Sequence, residues 1–135
     1  MNHSPSTLEK LRRELLDSVD RYFQALYEGD VSELRQSFHP RARYATVVEG
    51  APLILDLEEY LAVVAKRQSP RERGDDRRYI VSQSQLAGST AALVALQSCM
   101  LGKEFTDYIS FLRIDDRWQI IAKVFHADPI TLQGE

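Results

Sequence analysis

Asp107 and His126 are the two side chains in this sequence best suited to acid–base chemistry. A carboxylate beside an imidazole can move a proton or orient a ligand. Both residues fall on apolar, strand-like segments that flank the turn signal Asp115-Asp116. A two-residue turn there pairs Arg113 with Trp118 and Phe105 with His126, which sets Asp107 diagonal to His126 on one sheet face. A three-residue turn puts them on opposite faces. A structural His–Asp hydrogen bond near the strand end is the competing reading. Lys123 is out of phase with His126 and belongs to the other face, either neutralising a carboxylate at a subunit interface or snorkelling to solvent.

The candidate ligand-binding residues are Tyr22, Phe38, Tyr44, Tyr60, Gln97 and Trp118. The tyrosines could aim hydroxyls into a cavity or sit at the core edge with their hydroxyls bonded. Gln97 interrupts an apolar face and needs a polar partner. Cys99 shares its strand parity and reads as a small buried hydrophobe. There is no Gly-rich phosphate loop, no Gly-x-Ser-x-Gly and no His-Glu-x-x-His, so nucleotide hydrolysis, serine hydrolase and zinc peptidase chemistry have no motif behind them. A lone cysteine makes a zinc site improbable, and no metal or cofactor is expected.

The elements that must position these residues follow from spacing. Leu8, Leu11, Leu15, Val19, Tyr22 and Leu26 form one stripe of a long amphipathic helix. Ser6 and Glu9 read as its capping box, and Gly29 suits its end. Asp30 caps a short helix that stops at His39-Pro40. A strand pair at 44–49 and 53–55 precedes a third helix opened by Asp56. The arginine-rich stretch 69–78 has no apolar residue; it reads as a solvated loop or a mobile flap over a pocket. Strands at 79–87, 90–101, 104–114 and 118–127 then form an antiparallel meander. Residues 1–5 and 129–135 are expected to be loose tails of a single domain spanning the chain.

With 135 residues, 44% of them hydrophobic, the chain can bury a core. A net charge of −3 argues against nucleic acid as the partner. No apolar run is long enough to span a bilayer, and a cytoplasmic location is the default.

Tyr22-Phe23-Gln24-Ala25-Leu26-Tyr27-Glu28-Gly29-Asp30, then Leu34 and Phe38-His39-Pro40, resemble the nuclear transport factor 2-like superfamily. Phe105-Thr106-Asp107-Tyr108, Trp118-Gln119-Ile120 and Lys123-Val124-Phe125-His126 look like its lumazine-binding branch. The resemblance implies an α+β cone: a curved, mostly antiparallel sheet wrapped round three N-terminal helices, with a pocket at the open end. It does not choose a function, because such folds include isomerases, cyclases, dehydratases and modules that only bind or dimerise. A small-molecule-binding domain with an apolar pocket ranks first. An isomerase-, cyclase- or dehydratase-type enzyme using Asp107 and His126 ranks second, and a dimerisation or scaffold module third. Strands 90–101 and 118–125 are apolar on both faces, so a homodimer through the convex sheet face is expected.

Overall fold

The computed structural model describes residues 5–130. Helix α1 spans Pro5–Glu28, α2 Val31–Ser37, α3 Leu57–Lys66 and the single turn α4 Pro70–Arg73. Strands β1 (Phe38–Val48) and β2 (Ala51–Asp56) precede α3; β3 (Tyr79–Ala87), β4 (Ala91–Met100), β5 (Lys103–Ile114) and β6 (Arg117–Pro129) follow α4. They make one six-stranded sheet in the order β2-β1-β6-β5-β4-β3. Only the β1–β6 pairing is parallel. The α+β class and the helix-over-curved-sheet arrangement expected from the sequence are present.

The α1 stripe drives the assembly. Leu11, Leu15, Val19, Tyr22 and Leu26 are buried against the sheet, and each fully buried aliphatic side chain contributes roughly 1.5–3 kcal/mol. Helix α1 already begins at Pro5, one residue before Ser6. The inner sheet face supplies Val94, Leu96, Ile109, Phe111, Trp118 and Ile120. Trp118 donates its indole N–H to the Leu11 carbonyl at 3.2 Å, tying β6 to α1. At the expected loose C-terminus, β6 continues to Pro129, which pairs with Lys103; residues 1–4 and 131–135 lie outside the described part.

The β5–β6 hairpin decides the site. Its turn holds two residues, the first of the two alternatives the sequence allows, and pairs Arg113 with Trp118. The register then shifts: Phe111 pairs with Ile120 but Ser110 with Ala122, which leaves Ile121 as one extra residue, a β-bulge. Beyond it every β6 side chain changes face relative to unbroken alternation. Lys123 and Phe125 point inward with Trp118 and Ile120, while Val124 and His126 point out.

The stretch 69–78 is not a bare loop. Ser69 and Glu72 form a reciprocal capping box around α4, with Pro70 in its first turn and Gly74 in the left-handed conformation at its end. The Tyr27 hydroxyl donates to the Asp75 carbonyl, and the Leu101 amide donates to the Asp75 carboxylate, both at 2.8 Å. Arg77 bonds Asp20 at 2.8 Å, and Arg71 bonds Glu28 at 3.0 Å. The arginines neutralise α1 carboxylates instead of repelling one another.

Candidate functional site

Inside the cone, between β1, β5, β6, α1 and α3, lies a buried polar cluster. Lys123 and Asp107 are 4% and 2% exposed, and the Lys123 ammonium stands 3.9 Å from an Asp107 carboxylate oxygen. Four aromatic rings surround the ammonium: Phe125 at 5.3 Å, Tyr22 and Tyr44 at 5.4 Å, and Tyr60 at 5.7 Å. This is a cation–π cage, in which ring quadrupoles partly replace the water the cation has lost. Tyr44 stacks on Tyr60 with centroids 4.4 Å apart, and Phe38 meets Tyr22 and Tyr60 at 5.9 and 5.7 Å. At Tyr44 and Phe125, both half-buried, the cage reaches the surface.

The electrostatics are unusual. Burial raises the Asp107 carboxyl pKa, and the Lys123 charge only partly opposes this. Burial also works against the Lys123 ammonium. The oxygens of Tyr22 and Tyr60, the Asp107 carboxylate and the Tyr44 oxygen outweigh it and hold the amine well above the usual lysine value. Burial raises the Tyr22 phenol, against the pull of Lys123.

Hydrogen bonding in the cluster is incomplete. The Tyr22 and Tyr60 hydroxyls and one Asp107 oxygen are buried without a partner. Lys123 pulls the Tyr22 phenol down by its charge and by a contact at the edge of hydrogen-bonding range, short of a closed hydrogen bond. Leaving such groups unsatisfied costs about 1–3 kcal/mol each. Arg67, just after α3, adds a buried Nε without a partner, and its charge acts on Tyr44 at the rim. Among the described residues no group of three or more His, Cys, Asp or Glu could hold a metal ion.

Asp107, Tyr22, Phe38, Tyr44 and Tyr60 therefore come together as a group. His126 does not join them. It pairs with Thr106 on the outer face, is exposed, and bonds Asp128 at 2.8 Å. The Asp107–His126 site expected from the sequence is thus corrected: the bulge at Ile121 turns His126 out and Lys123 in. Asp107 within the same chain, not a carboxylate at a subunit interface, is the partner of Lys123. Trp118 is committed to α1. Gln97 is on the outer face, cross-strand from Ile80 and Thr106, and Cys99 beside it is exposed, not buried. Gln97, Cys99, Glu104 and Thr106 help line an open outer cleft of about 500 Å³, which includes neither Asp107 nor Lys123. The sequence signal for Lys123 was one charge inside the apolar run 120–125, readable only once the bulge is known.

The family model described as "Putative lumazine-binding" matches residues 10–126. The chain belongs to this family. Among curated proteins, an aldolase named FrzH from a Cladobotryum species is 25% identical over 113 residues, covering 80% of this chain and 84% of the relative. An NTF2-like protein of unknown function from Shewanella baltica superposes with a TM-score of 0.79 at 17% identity, covering 96% of this chain and all of that one (100%). Another, from Silicibacter pomeroyi, gives 0.75 at 21% identity over 90% of this chain and 98% of that one. A cystatin-like fold protein from Burkholderia xenovorans gives 0.67 at 14% identity, over 90% and 95%. These likenesses establish the NTF2-like fold.

Proposed function

We propose that this family member binds a small, planar, oxygen-bearing molecule against the Tyr22–Tyr60–Asp107–Lys123 cluster. The observation that carries this reading is the set of buried, unpartnered polar atoms on Tyr22, Tyr60 and Asp107 beside a caged ammonium. A core built only for stability would use apolar residues there, because a buried ion pair seldom repays its desolvation. A ligand carbonyl or enol oxygen would accept from the ammonium and the hydroxyls, and its flat ring would lie along the tyrosine faces. The relative named an aldolase supports a carbonyl compound as the ligand class. The test is titration with 2-naphthol, a flat aromatic enol, followed by its fluorescence. Saturable binding to the wild type is expected, weakened about tenfold by Lys123→Met, which corresponds to one charge-assisted hydrogen bond. Absence of saturable binding to the wild type would contradict the reading.

The outer sheet face supports a second-copy contact as part of the same reading. Ile54, Ala45, Val124, Tyr108 and Ala95 form one cross-strand row. Ile54, Val124 and Tyr108 remain 63%, 51% and 53% exposed in the single chain. A two-fold contact would pair this row with itself and cover it.

A further inference from the structure

Most arginines of this chain are accounted for. Arg21, Arg35, Arg71, Arg73, Arg77 and Arg113 each stand beside an aspartate or glutamate. Arg13, Arg41 and Arg78 are exposed, and water serves them. Arg67 is neither paired nor free in water. It is half-buried, its Nε is closed off from solvent without a partner, and no described carboxylate pairs with its charge. Taking a cation partly out of water with no counter-charge is unfavourable, so an anion from outside the chain is the partner this position lacks.

The fold says where that anion sits. Arg67 closes α3: Tyr60 and Val64 are buried one turn apart, and Arg67 follows three residues later on the same side of the helix. Its backbone N–H donates to the Val63 carbonyl at 3.2 Å, which fixes the root of the side chain. Tyr60 stacks on Tyr44, the half-buried ring at which the cage reaches the surface. Lys123, Arg67 and Asp107 all act on the Tyr44 oxygen, two cations against one carboxylate. Asp107 already answers Lys123. The charge of Arg67 at the rim is left over.

We propose that Arg67 determines the specificity of this site by holding a carboxylate at the outer end of the flat ligand, opposite the oxygen that meets Lys123. The proposal rests on the binding reading above and adds the ligand's chemical class: a planar carboxylic acid with its carbonyl or enol oxygen at the inner end. A guanidinium suits the task, because its planar fork meets both oxygens of a carboxylate and such charge-assisted bonds are about twice as strong as neutral ones. One unopposed positive charge matches a monoanion better than a phosphate carrying about two negative charges.

The experiment compares 2-naphthol with 6-hydroxy-2-naphthoic acid, which adds a carboxylate at the opposite end of the same ring. Both are titrated by fluorescence at neutral pH, where the acid is ionised. The wild type is expected to bind the acid about tenfold tighter or more, the increment of one charge-assisted pair. Arg67→Gln should bind the two compounds with equal affinity. Arg67→Met, which keeps an apolar stem of similar length, should do the same, and the melting temperature of each variant shows that it folds. Equal affinities in the wild type overturn the proposal and leave the binding reading standing. A preference for the acid that survives undiminished in Arg67→Gln and Arg67→Met overturns the role of Arg67. Binding of neither compound to the wild type removes the binding reading, and this proposal with it.

Discussion

Lys123 is the residue on which the interior turns. It is a cation with almost no water, held by one carboxylate and four rings. Removing one partner of a buried pair leaves the other charge uncompensated, at a cost of about 3–5 kcal/mol. Lys123→Met should therefore lower unfolding free energy by roughly that amount, read by urea denaturation. Asp107 makes a separate prediction about pH. Its folded pKa is raised, by burial above all, over its unfolded value near 3.9. Its contribution to stability is fully present below the unfolded value and is lost as pH rises through the folded one. Measured by denaturation across the acid range, the stability of the wild type relative to Asp107→Asn should fall as pH rises through that window. A difference that grows with pH would mean that Asp107 is held as a stabilised carboxylate instead.

Among the elements, the bulged β6 and the capped turn α4 mark what local pattern carries and what it does not. The inward set Phe105, Asp107, Ile109, Phe111, Trp118 and Ile120 was legible from alternation, and all of it faces the helices. Unbroken alternation puts His126 inside and Lys123 outside, because Ile120 and Ile121 are both apolar: with no polar residue to mark the extra position, nothing in the pattern reveals a bulge. In 69–78 the signal was present. Ser69-Pro70-Arg71-Glu72 is a capping box with proline in the first turn, a local signal that needs no apolar residue beside it. The same turn explains Gly29. Its φ is +67°, and a Cβ there would come within 3.0 Å of the Ser69 side chain. Gly29→Ala should destabilise the protein by about 1–2 kcal/mol from the left-handed backbone alone, and thermal denaturation would register it. Hydrogen exchange should show the Asp75 and Leu101 amides protected, since both are bonded, to the Pro70 carbonyl and the Asp75 carboxylate.

At the scale of the whole molecule, the sheet has two apolar faces and only one set of helices. The inner face is spent on the core and the caged cluster; the outer row through Val124 and Tyr108 is open. Sedimentation equilibrium at micromolar protein should give a homodimer, and Tyr108→Arg should convert it to a folded monomer of 15.5 kDa. A wild-type monomer would remove the second-copy contact. No helix among the described residues is long and apolar enough to cross a membrane. Cone, cage and outer face together make the interior pair the costly feature of the design, and that cost gives the most direct test. The double variant Asp107→Leu with Lys123→Met replaces both charges by apolar groups of similar size, an exchange that is often neutral or stabilising by about 1–4 kcal/mol. Its urea midpoint and its 2-naphthol titration, measured side by side with the wild type, should show a fold at least as stable and binding that is lost. A double variant that binds 2-naphthol as tightly as the wild type would contradict the assignment of this cluster as the functional site.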